Sequence, residues 1–76
     1  MSTLAQVIEQ IFGRPLSDFR DEDGPATFPD WDSHAHMELL SQLEEAYHIS
    51  FTVDEQLELE TLGDVKAALH SRGIRL

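Results

Sequence analysis

Apolar residues recur at helical spacing in three separate stretches, and this pattern restricts the chain to a packing of amphipathic helices. In the first stretch Leu4, Val7, Ile8 and Ile11 stand at i, i+3, i+4 and i+7, with Gln6, Glu9 and Gln10 off the stripe. In the second, His36, Leu40, Leu43 and Tyr47 share a face, with Leu39 and Ala46 beside them. Glu38, Glu44 and Glu45 lie elsewhere on that helix and face solvent or a partner. In the third, Leu62, Val65 and Leu69 form the stripe, with Ala68 alongside. Start and stop signals bound each stretch. Ser2 or Thr3 can cap the first helix, and Thr3 with Gln6 makes a capping-box pattern. Gly13 and Pro15 end that helix, and Phe12 closes its end against the core. The second helix starts near Asp32 and runs to about Tyr47 or His48. Thr61 and Asp64 open the last one; Gly73 ends it, and Ile74 and Leu76 fold back onto the core. Residues 49–53 alternate apolar and polar, but a lone strand would have nothing to pair with. They read instead as an extended connector burying Ile49 and Phe51, after which Thr52 and Glu55 cap a short helix through about Leu57 or Leu59. The fold class is all-α: three main helices, one short helix and a long first loop.

That loop, from about Arg14 to Trp31, is long for a compact domain. Leu16, Phe19, Phe28 and Trp31 are too apolar for a free linker and are expected to pin it across the bundle. Asp21-Glu22-Asp23-Gly24-Pro25 reads as a solvated turn; Asp21, Asp23 and Gly24 do not match the spacing of an EF-hand calcium loop. The elements use residues 1–76 throughout, so the expectation is one free-standing domain. With no cysteine, neither disulfides nor thiolate ligands can supplement so small a core. There is no apolar run long enough to span a membrane and no signal-peptide pattern at Met1-Ser2-Thr3, so a cytoplasmic location is expected. Fifteen acidic residues against five basic ones give a net charge of −10. That argues against nucleic-acid binding and for partners with basic docking surfaces.

The chemistry concentrates in Trp31-Asp32-Ser33-His34-Ala35-His36-Met37-Glu38-Leu39-Leu40. A serine here stands where a long helix begins, with free backbone N–H groups and the positive end of the helix dipole nearby. Three chemistries compete. Ser33 could be a nucleophile with His36 as its base, three residues on. However, it lacks the Gly-x-Ser-x-Gly elbow, and no residue is identifiable as orienting the base. His34 and His36 could ligate a metal, but residues two apart on a helix point about 200° apart. The i, i+4 spacing of helical zinc motifs is absent, and His48 and His70 add no ligand pattern, so no metal is expected. Covalent modification of Ser33 is the third, since a phosphodiester at this position gains from the helix N-terminus. The bland reading, that Asp32 or Ser33 is simply a helix cap, leaves the acidic face that follows unexplained.

This stretch, followed by Leu43-Glu44-Glu45 and Tyr47, resembles the phosphopantetheine attachment region of acyl carrier proteins. The family pattern reads Asp-Ser-Leu, two variable residues, an apolar residue, Glu-Leu, and later Leu-Glu-Glu before an aromatic. The likeness continues through the connector at Ile49 to Val53 and through Thr61-Leu62, Val65 and Leu69. The resemblance implies a four-helix carrier bundle with a 4′-phosphopantetheine arm on Ser33, supported by Asp32. Such a protein presents an acyl or aminoacyl thioester and catalyses nothing itself. It also implies a docking helix; His34, Met37, Glu38, Ser41, Glu44 and Glu45 are the candidate docking residues. The implied partners are a phosphopantetheinyl transferase, an acyl- or aminoacyl-loading enzyme and a downstream transferase or synthase, met by a monomer. His34 stands where leucine is usual, and Ser41 where a longer apolar residue is common. These departures weigh against a standard fatty-acid role and leave attachment untouched. The Trp-Asp-Ser start is similar to that of carriers serving polysaccharide or secondary-metabolite pathways. The alternative reading is a small acidic helical adaptor that binds a partner through the same helix and is never modified.

Overall fold

Thr3 opens the first helix by the reciprocal bonds its sequence calls for. Its hydroxyl accepts from the Gln6 N–H, and the Gln6 side chain accepts from the Thr3 N–H at 3.0 Å. A computed structural model describes residues 3–75; Ser2 as a cap and Leu76 as part of a folded-back tail lie outside the described residues. Helix α1 spans Leu4–Phe12 and ends on Gly13 in the left-handed conformation, φ 68°. Helix α2 spans Ser33–Tyr47, α3 spans Val53–Glu58 and α4 spans Leu62–His70. Among the described residues there is no strand, and no helix is long and apolar enough to cross a membrane. The architecture is an all-α four-helix bundle with a radius of gyration of 11.2 Å.

The stripes meet in one core. Leu4, Val7 and Ile8 of α1 are buried with Leu39, Leu40 and Leu43 of α2 and with Leu62, Val65 and Leu69 of α4. Phe51 joins them from the connector and Leu59 from the segment between α3 and α4. Ile49 is only half-buried. The Tyr47 hydroxyl accepts from the Leu4 N–H at 2.8 Å, so the end of α2 satisfies one of the unpaired donors at the start of α1. Beyond α4, the Ile74 N–H returns to the Leu69 carbonyl and Gly73 takes φ 77°, which folds Ile74 back against the core.

The first loop is better tied than its sequence suggests. Pro15 leads into a single 3-10 turn at Leu16–Asp18, a geometry favoured by its fixed φ of −68°. Phe19 and Trp31 are buried, and Phe28 and Phe12 pack with them as one aromatic cluster, with ring centroids 4.6 to 6.2 Å apart. The acidic turn, expected to be solvated, is instead docked on the start of α4. The Leu62 N–H donates to the Asp23 carbonyl and the Gly63 N–H to the Asp21 carbonyl, both at 2.8 Å. Lys66 reaches the Asp21 carboxylate, also at 2.8 Å. The helix-start N–H groups need acceptors, and the turn's carbonyls supply them.

Gly24 is buried where this turn crosses the α3–α4 connection, and a Cβ on it would overlap the Glu60 carbonyl oxygen. The obstacle is backbone, so the two segments must separate to admit a side chain. Gly24→Ala is expected to cost about 1–3 kcal/mol, read as a lower urea midpoint at unchanged slope. An unchanged midpoint would mean that the turn is free to move away from α4.

At the other end, Arg72 fastens three segments. It donates to the carbonyls of Ala68 and Ser50 and to the Glu55 carboxylate, the last at 2.6 Å, and lies 4.9 Å over the Phe51 ring. Arg72, with the Thr52 N–H in second place, holds the Glu55 carboxyl down at about 2.

Candidate functional site

Trp31 anchors the approach to α2. Its ring is fully buried, and its N–H closes a turn on the Phe28 carbonyl. Asp32 then takes an extended conformation and caps the helix; its carboxylate accepts from the Ala35 N–H at 2.8 Å. The cap is therefore Asp32, and Ser33 is the first residue of α2. Ser33 is exposed, and its hydroxyl makes no hydrogen bond to another described residue. The backbone N–H groups of Ser33 and His34 precede the first intrahelical bond, which the His36 N–H makes to the Asp32 carbonyl. An exposed hydroxyl beside unclaimed N–H donors at a helix N-terminus fits a phosphodiester sterically and electrostatically.

His34, Met37, Glu38, Ser41 and Glu45 come together on the exposed side of α2. Met37 is 54% exposed, high for a large apolar side chain. His34 lies 3.7 Å from Glu38, but its ring is 89% exposed, and such a contact is weak. Between Ser33 and Tyr47 there are three glutamates and no lysine or arginine, so the acidity of this helix has no compensation within it. Glu44 differs from the expected solvent-facing position. It is half-buried, and its carboxylate accepts from the Phe51 N–H at 2.8 Å, holding the connector against α2. The connector has no sheet partner, so its buried N–H requires a side-chain acceptor.

His36 is turned away from this face. Its Nδ1 accepts from the buried Trp31 indole N–H at 2.9 Å. That commitment removes the nitrogen a general base for Ser33 would use, and it separates His36 from His34. Burial lowers the His36 pKa, and the Leu59 carbonyl partly opposes the shift. The indole–imidazole bond is legible in the sequence only as a rule: a buried tryptophan needs an acceptor for its N–H. Also unforeseen are two exposed apolar residues one turn apart on α3, Val53 at 72% and Leu57 at 73%. A cavity of about 560 Å³ lies between the first loop and the α3–α4 region, with Pro25, Thr27, His36, Leu57 and Leu59 in its walls.

The family model described as phosphopantetheine attachment site matches residues 2–69, from the start of α1 to within α4. No curated protein sequence matches the chain.

Proposed function

Since the chain belongs to the phosphopantetheine-attachment family, whose members carry a covalently attached 4′-phosphopantetheine, we propose that it works as an acyl carrier protein with the arm on Ser33. One observation carries the residue assignment: Ser33 is the exposed first residue of α2, with its hydroxyl uncommitted and Asp32 doing the capping. Ser33 supplies the oxygen of the phosphodiester. Asp32 holds the first turn in shape, so the hydroxyl is presented at the edge of the bundle. The Ser33 and His34 N–H groups and the α2 dipole stabilise negative charge there. When bound, the arm supplies a thiol that carries an acyl or aminoacyl group as a thioester. Carrier domains of this family are not themselves catalytic; the chain's contribution is to keep the cargo tethered at high local concentration. The test is intact mass after incubation with a broad-specificity phosphopantetheinyl transferase and coenzyme A. A gain of one phosphopantetheine supports the reading, and an unchanged mass overturns it in favour of an unmodified adaptor.

Docking is assigned to His34, Met37, Glu38, Ser41 and Glu45. Glu44 contributes through the connector it holds. The partners are the transferase, a loading enzyme and a downstream transferase or synthase, each with a basic surface facing α2. His34 and Ser41 offer hydrogen bonds where an apolar contact would serve an ordinary fatty-acid partner. That supports service in a specialised lipid, polysaccharide or secondary-metabolite pathway. Glu38→Lys with Glu45→Lys is expected to slow modification several-fold at low salt, and the wild-type rate should fall as ionic strength rises. Rates indifferent to both changes would leave the acidity a matter of solubility alone.

A further inference from the structure

The Trp31 indole can only donate, so the Nδ1 that receives its proton at 2.9 Å must be bare. A neutral imidazole with a bare Nδ1 carries its proton on Nε2. The Leu59 carbonyl favours a proton on the ring. One side chain of α2 thus holds the end of the first loop. The same ring is part of the wall of the 560 Å³ cavity, about one helical turn along from Ser33. A second proton, on Nδ1, would set two donors against each other. Trp31 is 0% exposed, so its N–H has no water to turn to.

We propose that His36 is a proton-operated latch: neutral, it accepts the buried Trp31 N–H and holds the end of the first loop on α2, and protonated, it loses that acceptor site and lets the loop end loosen. The latch belongs to the chain itself and does not depend on the carrier reading.

The charged groups facing the ring are few. Glu22 of the first loop and Glu60 of the α3–α4 connection line the same cavity, and both favour a cation on His36. Asp32, one turn back on α2, has its carboxylate engaged by the Ala35 N–H. Burial, partly opposed by the Leu59 carbonyl, moves the His36 pKa below its ordinary 6.5. With the native value below the unfolded one, the unfolded chain binds the proton first as pH falls. The latch therefore contributes its full stability above about pH 6.5, and the contribution declines from there down to the native value. Glu55, held at about 2 by Arg72, titrates far below this window. His34, His48 and His70 are exposed and away from Trp31, so variants at position 36 isolate the effect of His36.

Trp31 is the sole tryptophan and serves as the probe. In the unmodified protein, imidazole ¹⁵N spectra at pH 7.5 should show Nδ1 of His36 bare and Nε2 protonated. Titration to pH 5 should move the Trp31 indole resonance and its fluorescence with one midpoint below 6.5. Amide exchange at Trp31, whose backbone N–H closes on the Phe28 carbonyl, should accelerate over the same range. His36→Asn keeps an acceptor near the Nδ1 position and cannot titrate, so it should flatten both changes. The same step in His36→Asn, or a His36 midpoint at or above 6.5, would overturn the latch. Should His36→Asn fail to fold, the wild-type tautomer and midpoint decide alone.

Discussion

Ser33→Ala is expected to remove the whole mass gain from the transferase reaction and to leave the fold untouched. The two halves of this expectation have separate grounds. The first follows from the hydroxyl being the proposed nucleophile: alanine has no oxygen to form the ester. Ser17, Ser41, Ser50 and Ser71 offer no substitute, because none is the first residue of a helix longer than a single turn. The second follows from the cap. Asp32, not Ser33, accepts the first-turn N–H, and the Ser33 hydroxyl holds nothing else in place. Alanine is also the best helix former, so the thermal midpoint should stay within a few degrees of wild type. Asp32→Ala is the contrast, because it removes the cap at a cost of about 1 kcal/mol while keeping the hydroxyl. Residual modification of Ser33→Ala would move the attachment point to another serine. A large loss of stability would mean that Ser33, too, is structural.

The residues that were legible in the sequence are those whose role is local or periodic. Thr3 with Gln6, Thr52 with Glu55, and Thr61 with Asp64 each announce a helix start within four residues, and each forms the expected bond. Leu40, Leu43, Leu62, Val65 and Ile8 are buried because the 3.6-residue period leaves them no other face. The end of α2 was ambiguous between Tyr47 and His48 because its left-handed cap is a histidine, φ 55°, where a glycine would have been diagnostic. What remained hidden depends on contacts between distant segments. The Asp21 and Asp23 carbonyls cap α4 through backbone atoms, and side-chain identity does not encode that contact. Their carboxylates suggested solvent, yet the main chain beneath them is what docks. Glu44 looked like Glu45 from spacing alone, and only the path of the connector places the Phe51 N–H within its reach. The place of Ser33, exposed at the opening of α2, was legible for the opposite reason. An exposed serine opening an acidic helix is an arrangement that packing does not require.

Leu43→Ala is expected to cost about 2–5 kcal/mol, the sum of lost apolar transfer and the cavity left in a core that relaxes only in part. Leu43 has no exposed surface, and the stripes of α1, α2 and α4 meet in the core cluster to which it belongs. Stability of about 0.05–0.15 kcal/mol per residue gives a chain of 76 residues only about 4–11 kcal/mol in all. The substitution therefore removes a large share of the total and can unfold much of the population at physiological temperature. No disulfide is available to hold the chain together meanwhile, because the sequence has no cysteine. Urea titration should show a much lower midpoint at a similar slope, since the surface exposed on unfolding barely changes. Met37→Ala, on the exposed side of the same helix, should stay within about 0.5 kcal/mol of wild type. The pair also separates folding from docking. Leu43→Ala should slow modification only by depleting folded protein, so a denaturant-free assay at low temperature should restore it. Met37→Ala should weaken partner binding with the fold intact. A Leu43→Ala midpoint close to wild type would show that the bundle closes over the missing side chain.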